Sequence, residues 1–278
     1  MITSTSNQHV ALLRSLHTAK GREREGLFLI EGPHLVEAAL DAHVTPRLIL
    51  YNAEDLSRSA SGRKLIGCIE EASAQGSSVY EATAQVIERA SDAQTPQGIV
   101  AAVASEDLSA ERVRAHRRGR SRPLLLVLDA IGDPGNLGTI LRSALAADVD
   151  EVLLAKGCAD PLAPKVVRAG SGAHFHLPVR SGLSWDEIAE ALRGAPAVQQ
   201  VLVAEAGART PYDDFDLTKR TALIVGNEAH GVSPEAKRLE TAGLSIPMWN
   251  RVESLNAAIA ASVVLFEAAR QCRAAEQK

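Results

Sequence analysis

Leu124-Leu125-Leu126-Val127-Leu128 is an apolar run without a polar interruption, preceded by Pro123 and closed by Asp129. A strand with one wet face alternates apolar and polar residues, so an unbroken run marks a strand covered on both faces, as in a parallel sheet. Similar runs return at Gln200 to Ala204 and at Thr221 to Val225, the latter ending in Gly226-Asn227-Glu228. Between them lie helical patterns, one with Leu137, Ile140, Leu141, Ala144 and Leu145 on a single stripe, another from Trp185 to Arg193. Alternation of this kind predicts an α/β domain with a parallel sheet and helices on both faces. Ligands of such sheets sit outside the carboxyl ends of the strands, so the loops after Val225 and Ile246 are expected to share a crevice.

Leu244 to Arg270 reads as a short strand-like run closed by Pro247, a polar turn from Trp249 to Glu253, and a helix with Leu255, Ile259, Val263 and Phe266 on one face. Ser254 stands at the expected N-cap and Asn256 in the first turn. Val264 and Leu265 lie beside the main stripe and broaden the apolar face. In the loop after Asp129 the glycines are spaced G-x-x-G-x-x-G, unlike the dinucleotide fingerprint, which argues against a Rossmann cofactor site. Asn136 is a candidate helix N-cap. Arg142 falls off the apolar stripe, near the first turns, where it can reach the strand ends. His174 and His176 alternate along an expected strand, His174 to Pro178, and read as structural, while His230 sits exposed in a glycine-bounded loop.

Residues 1–105 read as a smaller α/β domain. A helix with Val10, Leu13 and Leu16 precedes a polar run from Lys20 to Gly26, taken as a solvated loop. Strands at Leu27 to Gly32 and Arg47 to Tyr51, joined by a helix, predict a parallel βαβ pair. A helix near Arg63 to Gln75, a strand at Ser78 to Tyr80, a helix at Ala84 to Ala90 and a strand at Gly98 to Val103 complete the domain. Residues 106–122 read as an exposed linker carrying Arg112, Arg114, Arg117, Arg118, Arg120 and Arg122, and residues 123–278 as the second domain. With a net charge of -4, nucleic-acid binding requires a local patch. That linker and the cluster Arg14, His17, Lys20, Arg22 and Arg24 are the two candidates. Cys68, Cys158 and Cys272 form neither a disulfide framework nor a zinc pattern, and no stretch approaches a membrane span. The expectation is a soluble, unprocessed cytoplasmic protein without a metal.

Three segments, Asn136 with Arg142, Gly226-Asn227-Glu228-x-x-Gly231, and Ile246-Pro247-Met248 followed by Ser254-Leu255-Asn256, together resemble the three motifs of the SpoU (TrmH) family of RNA ribose 2′-O-methyltransferases, of the SPOUT class. The N-terminal part, with Phe28-Leu29-Ile30-Glu31-Gly32 and Thr95-Pro96-Gln97-Gly98, looks like the L30e-like, ribosomal-protein-type substrate-binding domain that often precedes the catalytic one. The resemblance implies a C-terminal trefoil knot, which general connection rules discourage. It implies a polar centre of Asn136, Arg142, Glu228, Ser254 and Asn256. It puts S-adenosylmethionine on main chain at Gly226, Asn227 and Glu228, at Ile246, Pro247 and Met248, and at Leu255, Asn256 and Ala257. A homodimer paired through the knot domain is implied too. Structured RNA is the expected substrate, ribosomal first and transfer RNA as the alternative, with Arg14, Lys20, Arg22, Arg24, Arg112, Arg114, Arg117 and Arg118 as RNA contacts. A non-catalytic RNA-binding module with the same fold, and an enzyme methylating a base or a small molecule, are the rivals. Trp249-Asn250-Arg251 departs from the family pattern, where small residues and a glycine are usual.

Overall fold

The computed structural model describes residues 1–115, 124–194, 198–227, 230–250 and 253–277. They divide into two compact units, Met1–Arg112 with Leu162–Phe175, and Val113–Pro161 with His176–Lys278. The segment Leu162–Phe175, which the sequence reading had assigned to the second domain, thus completes the first unit.

The chain begins with α1 (Gln8–Ser15), α2 (Ala19–Glu25), β1 (Leu27–Glu31), α3 (Pro33–Asp41), β2 (Leu48–Tyr51), α4 (Ala53–Ser57), α5 (Ala60–Ala74), β3 (Ser78–Glu81), α6 (Ala84–Ala90), β4 (Ile99–Ala104) and α7 (Ala110–Ala115). The sheet of the first unit has the order β1-β4-β2-β3. Here the expected parallel pairing of β1 with β2 is corrected, because β4 lies between them and is antiparallel to both. All of Ile99–Ala104 is buried, and a strand with no polar face is the one that a sheet covered on both sides places inside. Residues alternate between two cores: Phe28, Ile49 and Ala101 face one that includes Val167 and Phe175, while Leu29, Leu50 and Val100 face Val10, Leu13 and Leu16.

The charged run expected as a loop is α2. Thr18 caps it by accepting from the Gly21 N–H at 3.1 Å, and Gly26 ends it at φ 63. Arg22 is buried and its guanidinium donates to the Leu16 carbonyl at 2.8 Å.

Beyond α7 come β5 (Leu124–Leu128), α8 (Pro134–Ala146), β6 (Glu151–Ala155), α9 (Pro164–Gly170) of the first unit, β7 (Val179–Leu183), α10 (Trp185–Arg193), β8 (Gln200–Ala204), β9 (Thr210–Pro211), β10 (Thr221–Val225), α11 (Pro234–Lys237), β11 (Ala242–Ser245) and α12 (Ala257–Glu276). The second unit is a seven-stranded sheet of order β7-β6-β5-β10-β8-β11-β9. Every pairing is parallel. The strand expected at His174 to Pro178 is instead a 3-10 turn over Ala173–Phe175, entered through Gly172 at φ 88, and the strand starts at Val179.

Two helix starts also differ from the sequence reading. Asp133, not Asn136, caps α8, accepting from the Asn136 N–H at 2.8 Å. Asn256, not Ser254, caps α12, its Oδ1 accepting from the N–H groups of Ala258 at 2.9 Å and Ile259 at 3.3 Å. The buried face of α12 is Ala257, Ala258, Ala261, Val264, Leu265 and Ala268, whereas Ile259 and Phe266, expected in the core stripe, are 54% and 48% exposed. Small residues let α12 lie close to α8, near enough for Ser262 Oγ to donate to Ser143 Oγ at 2.8 Å.

Candidate functional site in the second unit

The order of the parallel sheet places β10 between β5 and β8, so successive strands leave β5 in opposite directions. Ligand crevices of such sheets form outside the carboxyl ends of the strands. One is present here, a cavity of about 240 Å³ lined by Ala204, Glu205 and Ala206 after β8, Val225, Gly226, Asn227 and Gly231 around the β10 loop, Leu244, Ile246 and Met248 around the end of β11, and Ser254, Leu255, Ala257 and Ala260 at the start of α12.

The β10 loop is shaped by its backbone. Asn227 and Gly231 exchange N–H···O bonds at 3.0 and 2.8 Å. A Cβ at Gly226 would come within 2.3 Å of the Gly231 carbonyl oxygen, so no larger residue fits there without moving the loop. Two bonds anchor the loop to the end of β5: the Asn227 amide donates to the Ala130 carbonyl at 3.1 Å, and the buried Asp129 carboxylate accepts from the Ser233 N–H at 2.6 Å. Asp129, Glu205 and Ala206 are contributions that the motif reading missed. Their signal was positional, since each follows an apolar strand at its carboxyl end.

Asn256 joins two of the expected site segments. While Oδ1 caps α12, its amide nitrogen donates to Asn136 Oδ1 at 3.0 Å. Ser254, Leu255 and Ala257 reach the crevice together with Gly226, Asn227, Ile246 and Met248, while Pro247, Asn256 and Asn136 are not in its lining. Arg142 is exposed and also outside that lining, nearly two turns along α8 from Asn136 rather than near the first turns. Among the described residues its side chain has no hydrogen bond or ion pair. Glu228 lies outside the described residues.

Asn250 has φ 58, the left-handed conformation that glycine adopts freely and asparagine tolerates better than most residues. The departure at Trp249-Asn250 is therefore compatible with a turn of the glycine type, and it leaves the indole 70% exposed next to Met248. Cys158 donates from Sγ to the Leu128 carbonyl at 3.3 Å, and burial pushes its thiol pKa up. Among the described residues, no group of three or more His, Cys, Asp or Glu could hold a metal ion.

The expected RNA contacts separate. Arg14 and Lys20 are exposed. Arg22 is removed from that set by its burial. Arg24 pairs with Glu25 at 2.7 Å, Arg112 pairs with Asp107, and Arg114 pairs with Glu151 at 2.7 Å. Arg117, Arg118, Arg120 and Arg122 lie outside the described residues.

The model of the SpoU rRNA Methylase family matches residues 123–266, a range that includes the crevice, α8 and the first half of α12. The chain belongs to that family. Residues 7–101 match the MRM3-like substrate binding domain. Among SpoU relatives, rRNA methyltransferase 3A, mitochondrial, of Danio rerio is 35% identical over 90% of this chain, which spans 65% of that protein's length. The 23S rRNA (guanosine(2553)-2'-O)-methyltransferase RlmP of Bacillus subtilis (strain 168) is 33% identical, covering 95% of this chain and 97% of its own. An AdoMet-bound rRNA methyltransferase from Sinorhizobium meliloti superposes with a TM-score of 0.81 at 30% identity over 97% of each chain. The SpoU methyltransferase AviRb from Streptomyces viridochromogenes, in complex with AdoMet, superposes at 0.80 with 28% identity over 96% of this chain and all of that one, 100%.

Proposed function

We infer that this SpoU protein transfers a methyl group from S-adenosylmethionine to a ribose 2′-hydroxyl of ribosomal RNA. It is an S-adenosylmethionine-dependent RNA methyltransferase. The observation that carries the reading is the convergence of the ends of β8, β10 and β11 with the start of α12 on one crevice.

The lining suits an adenosine. Val225, Leu244, Ile246, Met248 and Leu255 offer apolar cover, and the loop backbone at Gly226 and Ile246 offers hydrogen-bonding groups to a planar base. The cofactor supplies an electrophilic methyl on sulfur. Ser254 at the crevice edge, and Asn136 and Asn256 through their mutual bond, orient the ribose, because in-line attack depends on position. Arg142, exposed and without a partner among the described residues, clamps a substrate phosphate and polarises the hydroxyl. A guanidinium holds its proton far above neutrality, which argues against a base role in general. The family resemblance assigns Glu228 a role in the same reaction.

RNA specificity resides in the first unit, with Arg14 and Lys20 as phosphate contacts. The exposed indole of Trp249 is a stacking surface for an unpaired base flanking the target. Two copies pair through the second unit, using the uncovered side of α12 at Ile259 and Phe266. The knotted thread after β10 and a cytoplasmic location, compatible with the absence of any described helix long and apolar enough to cross a membrane, complete the proposal. Mapping alkali-resistant 2′-O-methyl positions in ribosomal and transfer RNA from cells with and without the gene tests it. A single missing rRNA methyl is expected, and a loss confined to tRNA overturns the substrate.

A further inference from the structure

The first unit contains a second cleft that the methyl-transfer site does not use. Its cavity is about 610 Å³, lined by Glu31, Gly32, His34 and Leu35 from the end of β1 into α3, by Asp92 to Gln97, and by Lys165, Arg168 and Ser171. Three chain segments distant in sequence meet there within one unit.

Its frame is a carboxylate network. Glu31 is buried, and its Oε2 accepts from Ser91 Oγ at 2.5 Å and from the N–H groups of Asp92 at 3.1 Å and Ala93 at 3.3 Å. Its Oε1 pairs with Arg168, which also donates to Asp92 at 2.9 Å. Glu31 and Arg168 are thus occupied in holding the 91–97 loop across from α3. Against that frame, Gln94, Thr95, Gln97, His34 and Lys165 are exposed and line the opening.

These groups sort by chemistry. Gln94 and Gln97 present amides, each with donors and an acceptor, the geometry that reads a base edge. Lys165 carries a cation, and His34 adds a ring nitrogen. α3 starts beside them with Pro33, which has no N–H, and the Val36 N–H donates to the Gly32 carbonyl, so the N–H groups of His34 and Leu35 are the first-turn donors left for an anion. Gly32 has φ 89, and a Cβ there would meet Gln97 Oε1 at 2.8 Å, so the glycine allows the amide to lie against the helix entry. A buried floor, amides on one side and an anion-attracting helix start on the other match a nucleotide.

We propose that this cleft takes one unstacked nucleotide of the RNA substrate, its base edge read by Gln94 and Gln97 and its phosphate held by His34, Lys165 and the start of α3. The proposal rests on the RNA-methylase reading and names the substrate element that the first unit grips.

The test compares the full-length protein with Gln94→Ala/Gln97→Ala and Lys165→Gln, using protein-free 23S rRNA as probe. Filter binding at several salt concentrations, S-adenosylmethionine titration and methyl incorporation are measured on each. The double variant should bind rRNA roughly tenfold to a hundredfold more weakly, the range of a lost base-edge pair, with an unchanged salt slope. Lys165→Gln should lower the slope by about one. An unchanged melting transition, together with unchanged cofactor affinity, verifies folding of both units. Photocrosslinking with 4-thiouridine-containing rRNA should label peptides spanning 92–97 or 32–35. Wild-type rRNA affinity in both variants overturns the cleft, whether or not the protein methylates. Failure of the wild type to incorporate methyl into any rRNA overturns the activity instead, and the binding comparison still decides the cleft.

Discussion

The side-chain amide of Asn256 donates to Asn136 Oδ1 at 3.0 Å while its oxygen holds the first N–H groups of α12. One residue thereby sets the helix start and fixes a second asparagine on α8. The two duties separate by substitution. Asn256→Asp keeps an oxygen for the cap but loses the donor, so thermal stability should stay near wild type while methyl transfer falls. Asn256→Ala should also cost about 1 kcal/mol of stability, the usual value of an N-cap. Urea denaturation and single-turnover methylation of both proteins check this, and wild-type activity in both would remove the tie from the mechanism.

Arg142 lies outside the crevice lining, so Arg142→Ala should leave S-adenosylmethionine affinity intact. Methyl transfer should drop on the order of a hundredfold, as when a charge-stabilising donor is removed. A pH–rate profile of Arg142→Lys distinguishes clamp from base. Near-normal rate with a new titration step would establish the base role and defeat the clamp.

Gly226→Ala should abolish cofactor binding, because the added Cβ meets the Gly231 carbonyl oxygen at 2.3 Å. Overpacking of this kind costs about 1–3 kcal/mol, little enough for the fold to persist. Calorimetric titration of a protein with a preserved melting transition is the check.

The exposed side of α12 predicts the assembly. Phe266→Lys puts a charge on that side without entering the core, since Phe266 is 48% exposed. Sedimentation should give a dimer for the wild type and a monomer for the variant. A wild-type monomer at micromolar concentration refutes the pairing.

Burial raises the Cys158 thiol pKa, so its thiolate becomes available only above the ordinary thiol range. The sign follows: the neutral thiol is favoured in the folded protein, and the associated stability is present below the unfolded pKa and lost as pH rises through the folded one. Iodoacetamide labelling followed by peptide mapping should find Cys158 with its reactivity midpoint displaced to higher pH than in denaturant. Coincident midpoints would contradict it.

Much of this was legible because the signals are local. The helix read from sequence at Trp185 to Arg193 matches α10, whose start the structure closes with a reciprocal cap between Ser184 and Glu187. The inner strands declare themselves by apolar runs. What was not legible depends on partners distant in sequence. Nothing around Ile99 states that β4 enters between β1 and β2. On α12, Ile259 and Phe266 outweigh Ala257, Ala261 and Ala268 in hydrophobicity, yet close approach to α8 selects the alanines. Alternating charge concealed α2, and only its Thr18 cap and Gly26 stop could have signalled it. In the site, motif resemblance brought Gly226, Ile246 and Ser254 to one crevice, but the Asn136–Asn256 bond and the Asp129 anchor are distances that no spacing encodes.

Val167 and Phe175 are buried in the core of the first unit although some fifty residues of the second, Val113–Pro161, precede their segment in the chain. Synthesis runs from the N-terminus, and domains generally fold as units. When Arg112 emerges from the ribosome, the N-terminal unit therefore lacks part of its own interior. It must wait, incomplete and with apolar surface uncovered, until Phe175 has followed. A fragment ending at Arg112 inherits that gap permanently, so any graft of the N-terminal unit onto another enzyme has to transplant two pieces of chain.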